Sequence, residues 1–295
     1  MALNKQTFQT RTLTAIIFVI VMLVGLLINQ WTFFALFFII HWACWTEFEK
    51  LFGLINESYG SANKKTKDIG KLIGSGFLLF CLPHVLRVNN FKFYYLGTII
   101  MVASALYFIF RLMKENSGSR AGVLKYSLLG LAYISLTWGA MIHLRGLNLA
   151  DVPLGYIAAL TLVAAIWIND TMQYIVGSLI GKTPFSQISP NKTLEGTLGG
   201  SLLCIVVVAV IGYLCKKEFL SLFIYIGMVA AIIGTLGDLL ESKIKRMAGV
   251  KDSGNFMPGH GGFLDRFDSL ILSAPFVWMA IEAVMILFER RTSGL

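Results

Sequence analysis

The sequence predicts an all-α, polytopic integral membrane protein with about nine transmembrane helices. Apolar residues make up 56% of its 295 positions and charged residues only 14%, against about 25% in an ordinary soluble domain. The mean hydropathy is +0.72. The apolar residues also gather into runs that approach the roughly 20 residues needed by a spanning helix. These observations exclude a soluble enzyme, a disordered chain and a secreted disulfide scaffold.

Nine apolar runs are predicted to cross the bilayer, because polar or turn-forming residues bound each of them. The first two runs meet at Asn29-Gln30, so they predict a tight helical hairpin. The sixth run is short, and an amphipathic helix is expected to continue it through Tyr174. In chain order, the predicted spans are 13–30, 31–47, 71–88, 94–112, 124–143, 153–168, 198–215, 219–240 and 267–289.

The distribution of Lys and Arg predicts the orientation in the cell membrane. With the basic residues at the ends of the adjoining spans included, the N-terminus and the second, fourth, sixth and eighth loops hold 18 of the 25 basic residues, and the other side holds seven. Because basic loops stay in the cytoplasm, the N-terminus is predicted to be cytoplasmic and the C-terminus to be outside. The net charge of +9 is then explained by orientation and anionic lipids or substrates, so no nucleic acid partner is expected.

The densest polar stretch runs from Asp238 to Asp268, at the predicted cytoplasmic end of the eighth span. Its basic residues can neutralise phosphate oxygens, and its glycines let backbone N–H groups approach an anion. Carboxylates beside a phosphate favour a bridging divalent cation, typically magnesium. The stretch therefore predicts nucleotide or phosphoryl chemistry. Its candidate residues are Asp238, Ser242, Lys245, Arg246, Lys251, Asp252, His260, Gly261, Gly262, Asp265, Arg266 and Asp268.

Structural explanations compete with this hypothesis. Asp265 and Asp268 also fit a helix N-cap and first turn, and His260 also fits a loop or packing histidine. The basic residues also fit a role as orientation signals alone. Asp238 is harder to explain in this way, because an ionisable residue at the edge of an apolar span is a functional candidate by default.

A second polar group occupies the sixth loop. Asn169-Asp170 closes an apolar run, and Ser189-Pro190 predicts a turn before the next span. Thr193 and Gly196 do not complete a capping box, so capping alone does not explain the segment. A tight return turn with solvated charges is an equally open alternative. The candidate residues are Asn169, Asp170, Tyr174, Ser189, Pro190, Lys192, Thr193, Glu195 and Gly196.

The stretch from Ser242 to Asp268 resembles the signature of the phosphatidate cytidylyltransferases, also called CDP-diacylglycerol synthases. It shares their Lys-Arg, Lys-Asp, His-Gly-Gly and Asp-Arg-x-Asp groups in order. It departs at Met257, where the family usually has Leu, Ile or Phe, a change that keeps volume and apolarity. The sixth loop is similar to the family's second block, with Leu194 where Trp is frequent. The first 150 residues match in hydropathy only.

The resemblance implies a nucleotidyltransferase that transfers CMP from CTP to phosphatidate in phospholipid biosynthesis and releases pyrophosphate. It implies magnesium held by Asp238 and Asp265, with Asp268 as a further ligand, and it is compatible with a second cation such as K⁺. The implied partners are CTP, phosphatidate and bilayer lipids, with a homodimer as a further expectation. Lys245, Arg246, Lys251, Asp252 and His260 join the three acids as catalytic candidates, and the remaining candidates named above bind substrate.

Residues 1–150 are expected to form a transmembrane scaffold with dimer contacts, and residues 151–295 the catalytic region, within one integrated membrane domain. Two other functions stay open. A transporter of an anionic phosphorylated substrate would usually show internal repeats, and none is apparent in the sequence. A lipid kinase, or a transferase using another nucleotide, is separated only by the signature. The sequence assigns no role to His41, His84 or Glu47, which lie in or beside predicted spans.

Overall fold

A computed structural model describes residues 5–82, 87–88, 91–149, 151–186, 188–190, 192–256 and 261–293. The predicted site residue His260 lies outside the described residues, as do His84 and Met257. Among the residues described, helices make up almost all of the secondary structure. Strands β1 (Arg87–Val88) and β2 (Phe91–Lys92) form a single short antiparallel pair there. The predicted all-α fold is confirmed.

The chain divides into two compact units. The first consists of Met1–Ile142 and Ile244–Phe267, and the second of His143–Lys243 and Asp268–Leu295. The helices are α1 (Lys5–Leu27), α2 (Gln30–Ile55), α3 (Glu57–Gly60), α4 (Lys64–Phe80), α5 (Phe93–Lys114), α6 (Ser117–Gly130), α7 (Leu136–Arg145), α8 (Leu154–Ile180), α9 (Leu194–Cys215), α10 (Leu220–Val229), α11 (Thr235–Met247) and α12 (Leu264–Ser293).

The predicted hairpin between the first two helices is present in the first unit. Asn29 is the N-cap of α2, and its side chain accepts hydrogen bonds from the backbone N–H groups of Trp31 and Thr32. The Thr32 hydroxyl accepts a hydrogen bond from the Asn29 N–H, which completes a capping box. The first four backbone N–H groups of an α-helix have no partner within the helix. Because this cap satisfies some of them, α2 can start immediately after α1 ends.

An aromatic core holds the first unit together. Phe37 and Trp45 of α2 are fully buried, and the Phe37 ring stacks on Trp138 of α7. The Trp45 indole donates a hydrogen bond of 2.9 Å to the Ser135 hydroxyl, which also lies 3.0 Å from Nε2 of His41. Nε2 of this buried His41 is therefore hydrogen-bonded in the core, whereas its Nδ1 has no hydrogen-bond partner among the described residues.

A π-helical turn positions Asp238 in the second unit. The turn covers Ala230–Gly234 and joins α10 to α11, and the Thr235 hydroxyl that follows it donates a 2.7 Å hydrogen bond to the Ala231 carbonyl. A π-turn inserts an extra residue into the helical repeat, and such turns are frequent near functional sites. The insertion changes which side chains of α11 share a face with those of α10.

Seven helical segments of the described residues are long and apolar enough to cross a membrane. The other two predicted spans correspond to α1, whose described apolar part is Thr12–Leu27, and to α4, which has 17 residues. In Phe93–Lys114 only 11% of the apolar window is buried, so most of its surface is left to face lipid or another chain. The protein is thus a multi-pass membrane protein, and nine is an approximate count of its spans.

Candidate active site

The predicted site residues of the first unit are organised around Asp265, near the start of α12. Its Oδ1 accepts a 2.6 Å hydrogen bond from the Lys245 ammonium, and its Oδ2 accepts backbone N–H bonds from Ser253 (2.9 Å) and Gly262 (2.7 Å). The side chains of Lys245 and Asp265 are only 13% and 8% exposed, so this ion pair is largely shielded from water. Shielded, charge-assisted hydrogen bonds are among the stronger ones in proteins.

Asp265 does not act as the N-cap of α12, because the helix begins one residue earlier, at Leu264. Its carboxylate instead reaches back to the loop between α11 and α12, here called the signature loop (residues 248–263). Gly261 in this loop has a φ of +83°, and a Cβ there would press on the Asp265 carboxylate. Glycine is needed at this position for both reasons. Whether Asp265 also binds metal stays a prediction.

Glu47 is the functional candidate to which sequence reasoning assigned no role. It lies on α2 and is only 6% exposed. Its carboxylate accepts 2.9 Å hydrogen bonds from the backbone N–H groups of Phe263 and Leu264. A Cβ on Gly262, or on Gly254 in the same loop, would contact this carboxylate. Glu47 therefore holds the signature loop against α2. The available signal was an acid at the end of an aromatic apolar run, just before Glu49 and Lys50.

The Ser253 hydroxyl links the two carboxylates. It lies 2.7 Å from Oε2 of Glu47 and 3.0 Å from Oδ2 of Asp265. A hydroxyl carries one proton, so it donates to one of these oxygens at a time. Glu47, Ser253 and Asp265 together fix the backbone of the signature loop at Ser253 and at its C-terminal end.

Charged residues of the signature that face solvent surround this buried network. Arg246 is exposed, and one of its guanidinium nitrogens donates a long 3.4 Å hydrogen bond to the Val250 carbonyl. Exposed basic groups of this kind are accessible to a water-soluble anion. The other exposed charged residues here are Lys251, Asp252 and Arg266.

The predicted site residues of the second unit include a lysine placed among acids. The Lys192 ammonium is in direct contact with the Asp238 carboxylate. Burial lowers the pKa of Lys192 below its ordinary value, and the negative charges of Asp170 and Asp268 oppose that shift. Asp268 also interacts electrostatically with Glu241. The structure thus brings together three predicted residues from separate parts of the chain, Lys192, Asp238 and Asp268, within range of Asp170.

The turn before α9 holds Lys192 in place. Thr193 is the N-cap of α9, and its hydroxyl accepts a 3.1 Å hydrogen bond from the Gly196 N–H. The Glu195 carboxylate accepts hydrogen bonds from the backbone N–H groups of Lys182 and Thr183. Thr193 and Glu195 therefore stabilise a tight return turn, which was the structural alternative for this segment. Their predicted contacts with substrate stay predictions.

Two further residues complete this turn, and neither is deeply buried. The Ser189 carbonyl accepts a 3.2 Å hydrogen bond from the Lys192 N–H, and Pro190 next to it is exposed. The Lys192 carbonyl in turn accepts a 2.8 Å bond from the Phe185 N–H. Lys192 is thereby fixed through its backbone on both sides, which orients its ammonium.

The remaining candidates of the second unit differ in exposure. Asn169 is only 1% exposed and accepts a 3.2 Å hydrogen bond from Gln173, so it belongs to the packing of α8. Its neighbour Asp170 is exposed, and Tyr174 is 77% exposed. The Ser242 hydroxyl lies 3.5 Å from Oδ1 of Asp238, one helical turn along α11. Asp170 and Tyr174 are thus the residues of α8 that an incoming ligand can reach.

The acids of the second unit suit a divalent cation by their chemistry. Carboxylate oxygens are the ligands that magnesium prefers, and it usually takes only one or two of them and completes its shell with water and substrate phosphates. Asp170, Asp238 and Asp268 lie close enough to Lys192 or to each other to interact. In the described part of the chain, however, no group of three or more His, Cys, Asp or Glu side chains is already arranged around a metal position.

A small apolar cavity adjoins the signature loop in the first unit. It encloses about 280 Å³ between α1 and α2. Phe256 and Phe263 of the loop line it, together with Val21 of α1 and Ile39 of α2. Its wall is almost entirely hydrocarbon, so it favours an apolar ligand over a nucleotide.

The fold and these residues define a class: a multi-pass membrane protein with acid–lysine pairs and a glycine-rich loop suited to phosphorylated ligands. The comparison with known families is more specific. A model described as the Cytidylyltransferase family matches residues 9–284. The chain therefore belongs to the cytidylyltransferase family, a family of nucleotidyltransferases.

Individual relatives agree with this assignment, and each is named phosphatidate cytidylyltransferase. The chain is 46% identical to the Synechocystis sp. protein over 140 residues, which cover 46% of each chain. It is 38% identical to the Bacillus subtilis protein over 155 residues, or 52% of this chain and 56% of the relative. The chain thus spans about half the length of these two relatives.

A longer match is found with the Staphylococcus saprophyticus protein. The identity is 34% over 218 residues, which cover 66% of this chain and 82% of the relative. The resemblance seen in the signature is confirmed by these matches.

Proposed function

We propose that this protein is a phosphatidate cytidylyltransferase, which transfers CMP from CTP to phosphatidate and yields CDP-diacylglycerol and pyrophosphate. The observation that carries the proposal is the pairing of acids with lysines among the charged candidate residues. Lys245 with Asp265 and Lys192 with Asp238 form acid–lysine pairs in a chain that belongs to the cytidylyltransferase family. The names of the similar proteins support the same substrates.

The proposed reaction is an in-line displacement at the α-phosphorus of CTP. A phosphate oxygen of phosphatidate forms the new P–O bond, and the bond from the α-phosphorus to the β-bridging oxygen breaks. Pyrophosphate leaves with the electron pair of that bond. Because the lipid phosphate is already anionic near neutral pH, no protein nucleophile is required. The protein's contribution is positioning and charge neutralisation.

The side chains divide this work by charge and position. Lys245, Arg246 and Lys251 are proposed to neutralise phosphate oxygens, since ammonium and guanidinium groups bind them directly. Glu47 and Asp265 accept hydrogen bonds from N–H groups of the glycine-rich loop and so hold the loop that carries Lys251 in place. In the second unit taken by itself, the residues proposed to contact substrate are Asp170, Tyr174, Lys192 and Ser242.

Magnesium is the proposed cofactor, with Asp238 and Asp268 as the residues that would hold it. When bound there, it would polarise phosphoryl oxygens and neutralise developing negative charge. Lys192 now contacts Asp238, so cation binding requires this lysine to shift toward Asp170 or toward a substrate phosphate.

The apolar cavity beside the signature loop is proposed to take an acyl chain of phosphatidate. Its position next to Phe263 places it beside the loop that would bind the lipid phosphate. A phosphorylated lipid needs both surfaces at once, since its chains stay in hydrocarbon while its phosphate meets a water-soluble nucleotide.

Filling the cavity tests this assignment. Ile39→Trp is expected to raise the KM for long-chain phosphatidate several-fold, roughly 3- to 10-fold, with kcat nearly unchanged, because ground-state and transition-state binding are lost together. Ile99→Trp on α5 is the matched control, because Ile99 has a similar exposure of 65% against 62% for Ile39 but does not line the cavity. Equal KM values for the two variants would refute the acyl-chain role.

The proposed location is the cytoplasmic membrane, with the N-terminus and the active site on the cytoplasmic side. The excess of Lys and Arg in the loops of that side supports it. The exposed apolar surface of Phe93–Lys114 supports contact with lipid or with a second copy of the chain.

A direct assay tests the proposed function. Detergent-purified protein is incubated with phosphatidate, magnesium and CTP labelled at the α-phosphate, and the lipid fraction is analysed. A labelled lipid is expected, and it should disappear with EDTA and return when magnesium is restored. Product formed with ATP in place of CTP would indicate the alternative transferase. No labelled lipid with any nucleotide would contradict the proposal.

A further inference from the structure

A large cavity in the first unit lies outside every motif that the sequence singled out. It encloses about 770 Å³ between α2 and α4, with the end of α3 at one side. This volume is within the range of about 300–1,000 Å³ that is typical of ligand pockets. The charged residues that line it are Lys50, Lys64, Lys67, Lys71, Glu49 and Asp68. We call it the lysine cavity.

The charges of the lysine cavity do not cancel. Lys71 is only 5% exposed and forms ion pairs with Glu49 (3.1 Å) and Asp68 (3.0 Å), so both acids are already neutralised in part by one lysine. Lys67 donates hydrogen bonds to the carbonyls of Tyr59 (3.3 Å) and Gly60 (3.1 Å). With four lysines and two acids, the lining has a net charge of +2. The cavity therefore favours an anion.

Lys50 and Lys64 are the lysines available to such an anion. Both are exposed, and neither takes part in an ion pair among the described residues. They come from different helices, Lys50 from α2 and Lys64 from the first turn of α4. Two exposed ammonium groups in one lining suit the charge of an anionic phosphate.

Part of the lining of the lysine cavity is apolar. Trp42, Leu54 and Leu72 line it with exposed side chains. The Trp42 indole donates a 2.9 Å hydrogen bond to the Ser75 hydroxyl, which fixes its ring beside α4. Tryptophan and lysine side chains are both common where a membrane protein meets the membrane–water interface. An inorganic anion would gain nothing from these apolar side chains, whereas an acyl chain would pack against them.

We propose that the lysine cavity binds an anionic phospholipid, with its headgroup phosphate between Lys50 and Lys64 and an acyl chain along Trp42 and Leu72. Basic pockets between transmembrane helices are a known way of binding such headgroups. Orientation of the protein in the membrane requires only a count of basic residues and does not require them to line one cavity. Lys65, one residue from Lys64, is exposed and lies outside the lining, which makes it a natural comparison.

The test measures binding of dioctanoyl-phosphatidylglycerol to detergent-purified protein by calorimetry, without any nucleotide. The assay does not depend on the proposed transferase activity. K50Q/K64Q is expected to weaken binding roughly 10- to 30-fold, on the scale of one phosphate–lysine contact per residue removed. The control K65Q/K125Q removes the same charge at two exposed lysines outside the cavity, and it should leave the affinity unchanged.

Two further arms identify the ligand chemistry. Dioctanoyl-phosphatidylcholine, with the same chains and no net charge, should not bind measurably, and excess inorganic phosphate should not displace the anionic lipid. Equal affinity of K50Q/K64Q and K65Q/K125Q would overturn the proposal. So would equal binding of the zwitterionic lipid, or displacement by inorganic phosphate alone.

Discussion

Asp238→Asn is expected to lower CDP-diacylglycerol formation by roughly 10²-fold or more at saturating substrates, which is the usual cost of removing one electrostatic contact to a phosphoryl transition state. The substitution keeps the shape of the side chain and removes its charge. Lys192 then loses the carboxylate that it contacts, but Asp170 and Asp268 still attract it. The protein should therefore stay folded while a cation loses one of its two proposed ligands.

The measurement is kcat for the labelled-lipid assay across a magnesium titration, together with the thermal unfolding midpoint. The concentration of magnesium that gives half-maximal activity should rise in Asp238→Asn. Asp151→Asn is the control in the same unit, because Asp151 is exposed and lies outside the candidate site. Wild-type turnover in Asp238→Asn would show that Asp238 does not serve the reaction.

The helical hairpin and the apolar spans could be predicted because they depend on residues that are close together in the sequence. Asn29 follows an apolar run and precedes another, so a hairpin with a helix cap was the available solution. The spans could be predicted from apolar length alone, although α2 continues to Ile55, well beyond the predicted end at residue 47. The error has a physical cause: Glu47 resembles the polar end of a span, but hydrogen bonds from the signature loop satisfy it within the helix.

The partners of the charged residues could not be predicted, since they depend on tertiary contacts. Helical spacing placed Asp238 on a polar face, but the side chain it contacts, Lys192, lies 46 residues earlier in a turn held by Glu195. The π-helical turn at Ala230–Gly234 also left no clear pattern in the sequence. The lysine cavity was missed for a different reason, because its lysines were fully explained by orientation.

Glu47→Gln is expected to lower kcat/KM by roughly 10- to 10²-fold, which corresponds to about 1.4–2.7 kcal/mol of lost transition-state stabilisation. The carboxylate accepts bonds from two backbone N–H groups through its two oxygens. An amide offers only one oxygen and would point an N–H group at one of these donors. The start of α12 and the end of the signature loop would then lose their common anchor, and Asp265 its fixed position.

A loss of activity alone would not separate positioning from general destabilisation, so the prediction is tested by coupling. A Cβ on Gly262 would contact both oxygens of the Glu47 carboxylate and the Ser253 hydroxyl, and Glu47→Ala removes the two carboxylate contacts. Gly262→Ala should therefore lower kcat/KM much less in the Glu47→Ala background than in the wild type. The effects of the two substitutions on the free energy of activation derived from kcat/KM should differ from additivity by more than about 1 kcal/mol.

The matched control for this cycle is Gly118→Ala, since a Cβ on Gly118 would meet no atom within 4 Å. Its effect on kcat/KM should be small and should add to that of Glu47→Ala, because the two sites share no partner. If Gly262→Ala were also additive with Glu47→Ala, the contact between this carboxylate and the loop would have no part in aligning it. Glu47 would then act on stability alone, and the thermal midpoint, rather than kcat/KM, would follow the substitution.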